Sequence, residues 1–106
     1  ELGPEPGDLV SNRLHGVSPF TGTALHAWLR NLGVETVVAT GVSVNLGVLG
    51  LAIEAVNLGY RVVVPRDTVA GIPAAYAEAL LDNTFPLITT LTTVDELVTA
   101  WGPLDR

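Results

Sequence analysis

The stretch best suited to chemistry is Thr40-Gly-Val-Ser-Val-Asn-Leu-Gly-Val48, where a predicted buried strand runs directly into a predicted helix. The first N–H groups of a helix lack partners within it and favour a carboxylate or an oxyanion. The N–H groups near Val44 to Gly47 are therefore predicted to face a site. A tight turn whose glycines serve packing alone fits the same pattern. A P-loop does not, because the sequence has no lysine, and a dinucleotide fingerprint fails because Gly47 and Gly50 fall inside the helix.

Few other side chains suit catalysis. His15 lies in a Gly/Pro-rich loop after a predicted strand, where it is either solvated or part of a site, and His26 is predicted on a helix surface near Arg30. No second ligand lies at metal spacing from either histidine, so neither a metal site nor a cofactor is predicted. Ser18 and Ser43 have no evident base partner, which leaves a serine triad unsupported.

Three charged residues fall near predicted strand ends. Arg13 and Arg66 are each either a carboxylate ligand or a solvated rim charge. Asp67 either binds polar substrate groups or caps its own turn. In a parallel sheet, ligands bind at the carboxyl ends of the strands, so these positions belong to the predicted site edge.

Alternating strands and helices must position these residues. The predicted strands are 9–14, 34–42, 60–65 and 87–91, and the predicted helices are 24–32, 45–58, 74–83 and 94–101. The signals at the helix ends are a Thr23 cap, Gly33, Gly59, Pro73 in a first turn, and a Thr93–Glu96 capping box. Apolar runs without alternation are typical of strands buried on both faces. The order predicts an α/β domain with three layers, α/β/α, and a mainly parallel sheet.

Composition narrows the classes of function. The chain has 106 residues, a net charge of −6 and only five basic residues, all arginine and unclustered, which disfavours nucleic acid and anionic membranes. No apolar run approaches the roughly 18 residues of a membrane span. The absence of cysteine removes disulfides, thiolate ligands and thiol nucleophiles, and is compatible with a cytoplasmic location. The absence of methionine and the loop-like opening at residues 1–7 indicate a single partial domain, residues 1–106, of a longer protein.

An ordered series of short motifs resembles the isochorismatase-like, or cysteine hydrolase, family. The motifs are Ser18-Pro-Phe-Thr-Gly-Thr23, Leu29 to Val34, Gly41-Val-Ser-Val-Asn-Leu-Gly47 and Ala55-Val-Asn-Leu-Gly-Tyr-Arg-Val-Val-Val-Pro-Arg-Asp67. The match covers nearly all of residues 8–97. It implies a six-stranded parallel sheet, of which this chain is the C-terminal part without the N-terminal strands, and a homo-oligomer.

The resemblance also implies where family chemistry would lie. The family uses an Asp after its first strand, a Lys before the Ser-x-Phe loop and a Cys after the Gly-Val pair. Here the Cys position is Gly47, the Lys position is Leu14 with Arg13 beside it, and the Asp would precede Glu1. Amide hydrolysis through a thioester is therefore excluded for this chain.

Further site residues follow from the same resemblance. A cis peptide bond is expected between Val42 and Ser43, in the oxyanion region. The residues expected to bind substrate are Arg13, His15, Phe20, Val44 and Asn45.

Two functions are carried forward. In the first, the chain is part of a hydrolase for a small carboxylated metabolite, and vinyl-ether hydrolysis is more compatible than Cys-dependent amide hydrolysis because it needs no covalent nucleophile. In the second, it is a catalytically inactive family member that serves ligand binding or oligomerisation. An unrelated α/β binding module is a third alternative. This chain alone is expected to be inactive.

Overall fold

A computed structural model describes residues 3–103 of the chain. The helices are α1 (Leu25–Asn31), α2 (Leu49–Asn57), α3 (Ala74–Asn83) and α4 (Val94–Trp101), and a π-helical turn (Val44–Val48) leads into α2. The strands are β1 (Thr36–Val38), β2 (Gly41–Val42), β3 (Arg61–Pro65), β4 (Val69–Ala70) and β5 (Thr90–Thr92). No helix among the described residues is long and apolar enough to cross a membrane.

The strands form two parallel sets. β1, β3 and β5 pair in the order β1-β3-β5, with Val38 opposite Val63 and Val63 opposite Thr90. β2 pairs in parallel with β4. Because β2 follows β1 and β4 follows β3 along the chain, this short pair lies beyond the carboxyl end of the larger sheet. The α/β class with a mainly parallel sheet is confirmed.

The core lies around β3, the central strand of the larger sheet. Val62 and Val64 of β3 are buried, together with Ala52 and Ala55 of α2. Phe85, which follows α3, is completely buried among them. β3 is apolar over most of its length because it has a strand on each side and helices packed against it.

The prediction of a strand at residues 9–14 is wrong. The segment is irregular, and every residue in it is exposed. A strand needs a neighbour for its backbone groups, and no described residue pairs with this segment. Apolar residues in this segment are therefore not sufficient to make it a strand.

The predicted strand 34–42 is divided into two. Pairing with β3 continues to Ala39, whose N–H donates to the Val63 carbonyl at 2.9 Å. Gly41 then adopts a φ of +108°, a conformation that favours glycine, and the chain turns into β2. The predicted strand 87–91 likewise starts only at Thr90, because a 3₁₀ turn (Phe85–Leu87) follows α3.

The helix ends follow their local signals closely. α4 spans the predicted residues, and the Thr93 hydroxyl accepts a hydrogen bond from the Glu96 N–H at 3.2 Å, as in a capping box. The Thr23 hydroxyl accepts from the Leu25 N–H at 3.3 Å. Pro73 precedes α3 rather than occupying its first turn, and the Ile72–Pro73 bond is cis.

Candidate functional site

A cavity of about 230 Å³ lies at the carboxyl end of β1, where the sequence predicted the site. We call it the Arg13 cavity. Its lining combines the leading segment, the exit from β1 and the turn before α2, and consists of Arg13, Pro19, Ala39, Thr40, Val42, Gly47, Val48 and Leu51. Three predicted site residues therefore come together here: Arg13, Val42 and Gly47.

The turn that borders this cavity has the backbone form expected from the family resemblance. The Val42–Ser43 peptide bond is cis. The Ser43 carbonyl accepts hydrogen bonds from the N–H groups of Leu46, at 3.2 Å, and Val48, at 3.0 Å. The Leu46 N–H is thus already paired, which corrects the prediction that all the N–H groups from Val44 to Gly47 are unpaired.

Gly47 is open rather than packed. A Cβ atom at this position would lie 3.8 Å from the carbonyl oxygens of Val17 and Val42, which is ordinary van der Waals contact. Its φ is not positive, so the backbone does not require glycine. The position has room for a side chain that this chain does not carry.

Arg13 is the positively charged group in the cavity lining. Its Nη1 donates to the Val17 carbonyl at 3.2 Å, which orients the guanidinium and leaves its remaining N–H groups available to a ligand. Leu14, where the resemblance places the family's lysine, is fully exposed. Because leucine is uncharged, position 14 offers no charge to a ligand.

Asn45 is bonded to a neighbouring loop. Its Nδ2 donates to the Ile72 carbonyl at 3.1 Å, while its Oδ1 is buried and has no partner among the described residues. A Cβ atom at Gly71 would lie only 2.7 Å from that Oδ1 and 3.0 Å from the Ala77 Cβ. Glycine at position 71 is what allows the amide to reach the loop.

Two residues expected to bind substrate have their side chains in the core instead. Val44 is 0% exposed and Phe20 is 8% exposed. Phe20 stacks on Tyr60, with ring centroids 6.2 Å apart, and meets the edge of His26. Both side chains are apolar and fill the interior between elements, so neither lines the Arg13 cavity.

The histidines lie outside the cavity lining. His15 is exposed, and its ring lies against Gly22, where a Cβ atom would be 3.2 Å from Cε1. His26 is half-buried rather than on the surface as predicted, because its Nδ1 shares a 2.8 Å hydrogen bond with the Tyr60 hydroxyl.

The remaining polar candidates have structural partners. Arg66 pairs with Glu78 at 2.7 Å and with Asp82 at 3.0 Å, and the hydrogen bonds to Asp82 and then Glu78 raise the pKa of Arg66 above its ordinary value. Asp67 accepts the Val94 N–H at 3.1 Å and so caps α4 rather than its own turn. The buried Ser18 hydroxyl accepts from the Phe20 N–H.

A second cavity was not predicted from the sequence. It measures about 220 Å³ and is lined by Val42, Ser43, Ala70, Gly71 and Ile72. It depends on the pairing of β2 with β4, and β4 is only two residues long. A strand that short has no detectable periodicity, so no local signal marks it.

Comparisons with known proteins show which proteins this chain resembles. The family model described as Isochorismatase domain matches residues 1–96. YwoC of Bacillus subtilis, an isochorismatase family protein, is 35% identical over 99 residues, which are 92% of this chain and 51% of YwoC. The ureidoacrylate amidohydrolase RutB of Variovorax paradoxus is 30% identical, with 97% of this chain and 41% of RutB covered.

A solved structure has the same fold. An isochorismatase-like hydrolase from Alkaliphilus metalliredigens superposes with a TM-score of 0.89 and 30% sequence identity. The match covers 95% of this chain and 55% of that protein. The chain thus spans about half the length of the relatives it matches.

Proposed function

The chain belongs to the isochorismatase family of hydrolases, and we propose that its protein hydrolyses a small carboxylated metabolite at a vinyl ether rather than at an amide. The observation that carries this proposal is Gly47, at the position that a nucleophilic cysteine would occupy. The position is open to the Arg13 cavity and has room for a side chain. None of the 106 residues is a cysteine that could act in its place.

Vinyl-ether hydrolysis needs an acid and water instead of a nucleophile. A proton adds to the terminal alkene carbon, which leaves an oxocarbenium ion, and water then attacks the carbon attached to the ether oxygen. The resulting hemiketal loses the alcohol and becomes a ketone. One water is consumed, no covalent enzyme intermediate forms, and the proton delivered to carbon is replaced by one from the water.

The residues of this chain would bind and orient the substrate. The N–H groups of Arg13 that have no partner among residues 3–103 suit a substrate carboxylate, because a guanidinium can pair with a carboxylate in a bidentate manner. Val42, the first residue of the cis Val42–Ser43 bond, lines the same cavity, so this turn would lie beside the bound substrate. Gly47 leaves space for the attacking water beside the ether bond of the substrate. RutB is named for amide hydrolysis, and Gly47 argues against that chemistry here.

The acid must come from elsewhere. None of the described residues that line the Arg13 cavity is a carboxylic acid. The relatives are about twice as long as this chain, and in the proposed enzyme an aspartate preceding residue 1 supplies the proton.

The lack of a carboxylic acid among the described residues of this lining favours a second candidate function. Since none of the described lining residues is an acid, and leucine stands at the family's lysine position, the cavity could bind a carboxylate but could not protonate the alkene carbon of a vinyl ether. The protein would then be a catalytically inactive family member that binds a ligand or supports oligomerisation.

An assay of the longest natural form of the protein separates the two candidates. We expect isochorismate to yield pyruvate, followed with lactate dehydrogenase, and simple amides to yield no ammonia. An R13Q variant should raise KM. Ammonia release from amides would contradict the vinyl-ether proposal, and the absence of both products would favour the inactive binding protein.

Assembly is part of the proposal. β1 is an edge strand, with β3 as its only partner among the described strands. Unpaired edges and exposed apolar residues promote association. We expect the 106-residue chain to sediment as an oligomer. A monomer that unfolds cooperatively would contradict this.

A further inference from the structure

The second cavity shares a residue with the candidate site. It lies where β2 and β4 end, and we call it the apolar cup; its lining is Val42, Ser43, Ala70, Gly71 and Ile72. Val42 lines both the cup and the Arg13 cavity. The two cavities therefore meet at Val42.

The cup is apolar and yet open to solvent. Val42 is 75% exposed and Ile72 is 83% exposed. Single exposed apolar residues are common on protein surfaces. Two that line one concave site, next to a cavity that contains an arginine, are typical of a ligand pocket in which apolar walls surround a few polar anchors.

Three contacts hold the cup in shape without a ligand. β2 pairs with β4, which places Val42 opposite Ala70. Asn45 Nδ2 donates to the Ile72 carbonyl at 3.1 Å, so the Ile72 backbone is fixed to the turn that carries Gly47. The buried Asn45 Oδ1 lies against Gly71, where any side chain would displace it. A preformed site spends less binding free energy on ordering itself.

We propose that the apolar cup receives a compact hydrocarbon part of the substrate, a ring or a short branched chain, while the substrate carboxylate binds Arg13. The inference rests on the proposed function and extends it by assigning a second subsite, for the apolar part of the substrate. In this arrangement the Asn45 amide holds the Ile72 backbone through its hydrogen bond to the Ile72 carbonyl.

Three probes test the cup in the longest natural form of the protein by amide chemical shifts in NMR: acetate, benzoate and the neutral benzyl alcohol. Burial of part of a ring should make benzoate bind about tenfold more tightly than acetate. Benzoate should shift the amide signals of Ser43 and Gly71 as well as that of Gly47. Benzyl alcohol should shift those of Ser43 and Gly71 alone.

Two matched variants locate the effect. Ile72→Ser keeps the carbonyl that Asn45 binds and should reduce benzoate affinity to that of acetate, with acetate binding unchanged. Leu87→Ser removes an equally exposed apolar side chain near the amino end of β5 and should leave all three probes unaffected.

The outcomes separate the cup from the proposed function. Benzoate no tighter than acetate, no response to benzyl alcohol at Ser43 and Gly71, or equal losses in both variants would each overturn the cup. Acetate that fails to bind would instead contradict the carboxylate site at Arg13, and benzyl alcohol would still report on the cup.

Discussion

Val42 and Val44 are two residues apart, yet they lie in opposite environments. Val44 is completely buried with the side chains packed around β3, whereas Val42 is three-quarters exposed at the edge of two cavities. Most side chains of β3 are buried, while the carboxyl-end rim around β2 is apolar and exposed. The core holds the turn in place, and the exposed rim is the surface at which we propose that a ligand binds.

The largest effect should come from breaking the core. Phe85→Ala removes a ring with no exposed surface, and the loss of packing should cost about 3–5 kcal/mol of unfolding free energy. Urea denaturation followed by circular dichroism measures it. The control is Leu87→Ala, which changes an exposed side chain two residues away. Equal losses in the two variants would show that Phe85 is not in a packed core.

A smaller loss of stability should follow from a substitution at Gly71, which lies between the exposed rim and the core. Gly71→Ala would bring a methyl group to 2.7 Å from Asn45 Oδ1 and 3.0 Å from the Ala77 Cβ, and relief of the clash should cost about 1–3 kcal/mol. The double variant with Asn45→Ala should recover part of the loss. If Gly71→Ala unfolds at the wild-type urea concentration, the loop does not approach the turn as closely as described.

The α4 cap should behave independently of both regions. Thr93→Ala removes the hydroxyl that accepts the Glu96 N–H and should cost about 1 kcal/mol. Thr93→Ser keeps the hydroxyl and serves as the control. Loss of stability in the serine variant as well would mean that the methyl group, and not the hydrogen bond, stabilises α4.

The turn at Gly47, which borders the Arg13 cavity, should tolerate substitution without loss of stability. Gly47→Ala meets only ordinary contacts, and alanine is favoured over glycine in a helical turn, so the chain should gain about 0.5–1 kcal/mol. The melting temperature should rise slightly. A clear loss of stability would show that glycine at 47 is required by packing, and the argument from an open position would fail.

The sequence predicted those parts of the fold that depend on local signals. α4 begins at its capping box, and α2 and α3 follow their helical patterns. The strand predicted at 9–14 was wrong because pairing depends on a distant partner, and β4 was missed because two residues show no pattern.

The site was predicted only in part for the same reason. Gly47 and Arg13 could be placed at a strand end from chain order and family resemblance, and the structure brings them to one cavity. The burial of Phe20 against Tyr60 and the contact of Asn45 with Ile72 join residues that are distant along the chain. Nothing in the local sequence reports such contacts.

The most direct test of the central claim, an open and anion-receptive position 47 beside Arg13, is single-cysteine labelling. The chain has no native cysteine, so Gly47→Cys carries one thiol. We predict that the ratio of the iodoacetate rate to the iodoacetamide rate is higher in the folded chain than in the same chain in urea, because Arg13 attracts the negatively charged reagent. Arg13→Gln should remove this difference. Mass spectrometry measures both rates. A folded-state thiol that resists both reagents, or the same rate ratio with and without Arg13, would contradict the account.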